Sequence, residues 1–91
     1  MNLPKNKEEK KYFRFGYETP PLWFSLEQLN GKAILLNDLV QRFNSDNDGS
    51  FYMISNKEGT SNCFKGDIIY KDDEGELFVY TYEEFSRKFS V

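Results

Sequence analysis

Seven carboxylates crowd the last quarter of this 91-residue chain: Asp67, Asp72, Asp73, Glu74, Glu76, Glu83 and Glu84. Carboxylates can serve as paired general acids and bases, as hard-metal ligands, or as an acidic docking face. The first use needs two of them opposed in a cleft, and no spacing here signals that arrangement. Histidine is absent, which removes the commonest general base and the commonest metal ligand together. The lone Cys63 leaves too few soft ligands for zinc within one chain. A polar run, Asn44-Ser45-Asp46-Asn47-Asp48-Gly49, has oxygens at alternate positions like a calcium loop, but Ser55 stands where the bidentate glutamate should fall. The sequence therefore predicts no catalytic residue, no metal site and no cofactor, and a protein that is not an enzyme.

Docking is what remains. Residues 1–43 carry seven basic and five acidic side chains, a balance of +2, and residues 44–91 carry five basic and ten acidic, a balance of −5. An acidic surface with aromatic anchors can fill a basic groove on a partner, its field speeding association and its rings slowing release. The contact set predicted on this reading is Tyr70, Asp72, Asp73, Glu74 and Glu76. A second reading is a sponge for a small nucleotide signal, with Trp23 or Tyr52 stacked on the base and Lys57 or Lys65 on the phosphate. No glycine-rich phosphate loop supports it. A structural role in a virion is a third. Direct nucleic-acid binding ranks below these, because the chain is acidic and its basic residues are dispersed except near the start.

The elements that must position these residues are most plainly written at the C-terminal end. Asp67 to Lys71 and Glu76 to Tyr80 are β-branched and aromatic runs flanking Asp72-Asp73-Glu74-Gly75, a hairpin whose glycine supplies the positive φ of a tight turn. Thr81 and Glu84 form a Thr-x-x-Glu capping box, Phe85 and Phe89 share one face, and Arg87 and Lys88 fall in the last turn. A short terminal helix follows. Upstream, Phe51 to Ser55 and Thr60 to Phe64 flank the turn Asn56-Lys57-Glu58-Gly59, so four consecutive strands predict an antiparallel meander.

The first half is predicted to begin with a flexible basic tail, residues 1–11, before a single domain over 12–91. Pro20-Pro21 leads into Leu22-Trp23-Phe24, read as an edge strand. Ser25-x-x-Gln28 reads as a second capping box on a single helical turn ended by Gly31, although Asn30-Gly31 is also a hairpin signal. Lys32 to Asn44 places Leu36, Leu39, Val40 and Phe43 on one stripe, widened by Ala33 and Leu35, and reads as the main helix. The expected fold class is α+β: a small antiparallel meander packed on one main α-helix, with a short C-terminal helix. The free cysteine, the absence of a membrane-length apolar run and a Lys-rich start without an apolar segment lead to the expectation of a cytoplasmic protein that enters no membrane.

Glu58-Gly59, Gly66-Asp67, Ile68-Ile69, Lys71, Gly75-Glu76, Phe78 and Phe85 fall in the order and with the gaps of a motif found in small phage and prophage proteins of unassigned function, which the second half of this chain resembles. About forty residues are covered. Val79-Tyr80-Thr81-Tyr82 replaces the group's proline-x-lysine-proline, and Asp72 replaces a glycine. The resemblance implies a phage or mobile-element origin and supplies no site residue. Small phage proteins often act by binding, so the expected function is an accessory protein that inhibits a host factor, in the manner of an anti-CRISPR protein, inside the host cytoplasm. The expected partner is a host protein, such as a nucleic-acid enzyme.

Overall fold

Pro20-Pro21 does not start a strand. In the computed structural model, which describes residues 10–37 and 49–89, Leu22–Leu29 form the helix α1. Pro21 is its extended N-cap (φ −70°, ψ 163°), and its carbonyl accepts the Phe24 amide at 3.0 Å. Proline costs a helix nothing at its start, where its missing N–H has no partner to lose. Leu22-Trp23-Phe24 is therefore the first turn of a helix, and Ser25 and Gln28 lie inside it rather than capping it. The expectation that Gly31 ends a helix holds. Gly31 has φ +80°, its amide reaches the Gln28 carbonyl at 3.1 Å, and the Lys32 amide reaches the Glu27 carbonyl at 3.0 Å. This is a Schellman closure, which consumes two carbonyls the helix end would otherwise leave open.

The main helix expected over Lys32 to Asn44 is also corrected in its first part. Ala33–Asn37 are a strand, β2, antiparallel to Ser50–Asn56, β3, with Ala33 opposite Ile54 and Asn37 opposite Ser50. The run Ala33-Ile34-Leu35-Leu36 satisfies a helical stripe and a buried strand equally well, and pairing with β3 settles it. Residues 38–44 of that expected helix, with Leu39, Val40 and Phe43, lie outside the described residues. So does the polar loop up to Gly49.

Tyr12–Arg14 form β1, Gly59–Cys63 form β4, Ile68–Lys71 form β5, Leu77–Tyr80 form β6 and Tyr82–Phe89 form α2. The strands at the two predicted hairpins and the terminal helix stand where expected. The single meander does not. Among the described residues there are two three-stranded antiparallel sheets, ordered β1-β5-β6 and β2-β3-β4. The expected β4–β5 pairing is replaced by β1–β5, with Phe13 opposite Ile69. The turn between β4 and β5 explains the switch. Gly66 has φ +99° and its amide bonds to the Phe15 carbonyl at 2.8 Å, while Asp67 Oδ2 accepts the Phe64 amide at 3.0 Å. The chain is thereby turned out of one sheet and onto the N-terminal strand.

The core sits between the sheets and α1: Phe13, Phe24, Ala33, Tyr52, Ile54, Cys63, Ile69 and Leu77 are buried together. Phe24 contacts Phe13 and Tyr52 edge-on, both at 4.9 Å between ring centroids, joining the two sheets through α1. Burial pushes the Cys63 thiol up to about 12, aided by the charge of Asp67, so it behaves as a small inert hydrophobe. On the other face of the β1-β5-β6 sheet, Tyr12, Tyr70 and Tyr80 pack with Phe85 and Phe89 of α2 in a second aromatic cluster. Residues 1–9 of the expected tail lie outside the described residues. Lys10 and Lys11 are held: the Lys10 carbonyl accepts Trp23 Nε1 at 2.7 Å, and the Lys11 carbonyl accepts the Lys71 amide at 2.8 Å.

Candidate functional site

Two hairpin turns are set side by side at one end of the molecule. The β5–β6 turn is shaped by Asp72, whose Oδ1 accepts the amides of Glu74 (2.9 Å) and Glu76 (2.8 Å). Gly75 closes it at φ +84°, its amide on the Asp72 carbonyl at 3.1 Å. An aspartate that folds its own turn in this way is the physical reason Asp is favoured there. The β3–β4 turn is Lys57-Glu58, with the Glu58 amide on Asn56 Oδ1 at 2.8 Å. Three bonds join the turns. The Lys57 amide donates to Glu76 Oε1 at 2.7 Å, Lys57 Nζ meets Glu74 Oε1 at 2.9 Å, and Asn56 Nδ2 donates to the Leu77 carbonyl at 2.6 Å.

Glu58, Asp72, Asp73, Glu74 and Glu76 thus gather at one end. Among the described residues, Lys57 and Lys11 are the lysines bonded to carboxylates of the group, Lys11 pairing with Asp73 at 2.6 Å. Five carboxylates against two ammonium groups leave a balance of −3. Both pairs are exposed, and exposed pairs hold weakly and exchange readily with other partners. The field acts on its members. The hydrogen bond and charge of Glu74 push the Lys57 ammonium up, with Asp72 and Glu76 adding to it. Lys11 holds Asp73 below the usual carboxylate range. Burial, then the charges of Glu58, Asp72 and Glu84, raise the Tyr80 hydroxyl.

Four members of the predicted contact set, Asp72, Asp73, Glu74 and Glu76, are therefore brought together. Tyr70 is not with them. It is half-buried against Phe89 (4.9 Å) and Phe85 (6.1 Å), beneath α2. The ring beside the acidic turn is Trp23, which lines a shallow depression of about 290 Å³ with Lys11, Lys71, Asp72 and Asp73. Lys71 Nζ lies 5.6 Å from the Trp23 ring centroid and 3.7 Å from the buried Glu27. Glu58 escaped the sequence reading. Its signal, a charged residue in a two-residue turn, gains meaning only when β3 and β6 are known to be neighbours.

The nucleotide set Trp23, Tyr52, Lys57 and Lys65 is scattered. Tyr52 is in the core, its hydroxyl raised chiefly by burial. Lys57 is bound into the acidic end. Lys65 follows the far end of β4 and packs beside Gly16, roughly 17 Å of strand away from Lys57.

The other conspicuous surface is apolar. Leu22, Leu26 and Leu29 lie along the outer face of α1, and Ile34, Leu35 and Leu36 of β2 are exposed as well. Among the described residues no helix is long and apolar enough to cross a membrane, and no group of three or more Cys, Asp or Glu side chains is placed to hold a metal ion. No family model matches the chain, and neither a curated protein nor a solved structure is significantly similar to it.

Proposed function

We propose that this chain is a non-enzymatic accessory protein of a phage or mobile element, which binds a host protein and inhibits it, in the anti-CRISPR manner, by laying its acidic end on a basic surface meant for nucleic acid. The observation that carries this reading is the joining of the β3–β4 and β5–β6 turns, which adds Glu58 to the four carboxylates around the β5–β6 turn. A field so focused speeds association with a cationic partner. The surroundings of Lys57 favour this over the nucleotide sponge, because the carboxylates of Glu74, Asp72 and Glu76 around its ammonium attract a cationic partner and repel a phosphate. The host cytoplasm is the compartment this reading requires.

The test is a charge reversal that spares the turn. Glu58→Lys, Asp73→Lys and Glu74→Lys are combined, and Asp72 is left in place because its carboxylate holds two backbone amides. Tagged protein is used to pull partners from a bacterial lysate, with and without nuclease, at low and high salt. The reading requires a stoichiometric host protein retained after nuclease, released by salt and absent from the triple variant. Equal capture by the triple variant, with its circular dichroism spectrum unchanged, overturns it.

A further inference from the structure

The edges of the two sheets face a common groove. Strand β6 is the outer strand of one sheet and β4 the outer strand of the other, and the two are not hydrogen-bonded to each other. The backbone direction at each residue follows from the pairing. The Asp72 amide bonds to the Glu76 carbonyl, so Phe78 and Tyr80 turn their backbone toward β5 while Leu77 and Val79 turn theirs outward. The Ser55 amide bonds to the Lys32 carbonyl across β2, so Ser55 and Thr60 are a non-bonded pair, and Thr60 and Asn62 turn their backbone outward from β4. At one end the Leu77 carbonyl is taken by Asn56 Nδ2 at 2.6 Å, which clasps the sheets together. Beyond that clasp lies a groove of about 580 Å³, lined by Glu58, Thr60, Ser61, Phe78, Val79, Tyr80 and Lys88 among others.

An open strand edge is a template for another chain, and proteins commonly guard it with Lys or Pro on the strand itself. Strand β4, Gly59-Thr60-Ser61-Asn62-Cys63, carries neither, and its first four residues are exposed. The groove also has a charge preference. Glu58 stands at its rim, and Tyr80 offers a ring over which Lys88 Nζ already sits, 5.8 Å from the centroid. A carboxylate beside an aromatic face is the chemistry that receives a guanidinium or ammonium group.

We infer that this groove takes an extended, basic peptide segment of the partner, which adds as a strand along β4 with a cationic side chain on Tyr80 and Glu58 in place of Lys88. The inference rests on the acidic-end reading and names the mode by which that end would grip its partner. Backbone hydrogen bonds to Thr60 and Asn62 would supply register, and the displaced Lys88 would return to solvent.

The experiment uses the full chain, labelled with nitrogen-15, and an end-blocked hexapeptide of alternating arginine and threonine. A second peptide of the same sequence carries a methyl group on every backbone nitrogen. Saturable binding is expected, with shifts and slowed exchange at the Thr60 and Asn62 amides, and at least about tenfold weaker binding of the methylated peptide. Lys88→Ala should tighten binding about threefold and Glu58→Gln weaken it about threefold, whereas Lys65→Ala, the same charge change at the other end of β4, should leave it nearly unchanged. Equal binding of both peptides, with shifts confined to residues 57–58 and 72–76, overturns the groove and leaves the acidic end standing. Absence of binding by either peptide also overturns the groove, and the lysate experiment then judges the acidic end by itself. Weaker binding by Lys88→Ala overturns the displacement of Lys88.

Discussion

The two helices among the described residues have eight residues each and are built in opposite ways. Helix α2 carries a capping box and charges that suit its dipole at both ends. The Thr81 amide donates to Glu84 Oε1 at 3.0 Å and the Glu84 amide to Thr81 Oγ1 at 3.1 Å, Glu83 and Glu84 sit in the first turn, and Arg87 and Lys88 sit in the last. Helix α1 has no side-chain cap, no acid in its first turn and no base in its last. It buries Glu27 near its C-terminal end, where the helix dipole disfavours a negative charge, and turns three leucines to solvent. Its order comes from outside: Phe24 between the rings of Phe13 and Tyr52, Glu27 against Lys71, and Trp23 Nε1 on the Lys10 carbonyl. A helix can thus be specified by its own sequence or by the cavity it fills, and only the first kind announces itself.

The largest effect that would break this contrast is at Phe24, which is fully buried. Phe24→Ala should cost about 4 kcal/mol by urea unfolding, because the lost ring leaves a cavity between the sheets. A loss near 1 kcal/mol would show that α1 does not depend on that contact. Thr81→Ala should cost about 1 kcal/mol, the ordinary worth of a cap, and should leave the sheets in place by near-ultraviolet circular dichroism.

The same cap carries a pH signature. The Thr81 amide first, and its hydroxyl second, lower Glu84 from its ordinary value of 4.5. A carboxylate lowered by folding contributes stability that is present above its unfolded value and is lost as pH falls through the folded one. Melting temperature should therefore fall more steeply below about pH 4.5 in the wild type than in Glu84→Gln, and parallel curves would remove the cap's role. The smallest effect is expected on the outer face of α1. Leu26→Lys should change stability by no more than about 0.5 kcal/mol, and a loss above about 2 kcal/mol would contradict the exposure of that face.

Legibility along the chain follows the same contrast. The β5–β6 turn, its glycine, the capping box and the terminal helix were readable because Asp72, Gly75, Thr81 and Glu84 act on backbone groups within four residues of themselves. The strand over Ala33–Asn37 was misread as helix because four consecutive apolar residues fit either period, and the strand that pairs with it is more than ten residues away. The candidate site was half legible. Its carboxylates stood out in sequence, but Glu58 and Trp23 join them only through the meeting of two turns and the docking of α1. Tyr70 left the set because alternation along β5 points it away from Ile69 and into the cluster beneath α2.

By itself, the sequence determined the hairpin turns, the Thr81 cap of α2, the acidic balance of the second half and the absence of histidine chemistry, since all of these rest on residue type and short-range geometry. The tertiary structure decided that β5 leaves β4 for β1, that Ala33 to Asn37 extend rather than coil, and that two turns share one end. Those outcomes depend on which distant surfaces bury the most ring area together, as Phe13, Phe24 and Tyr52 do, and contacts of that kind have no local signature for a sequence to display.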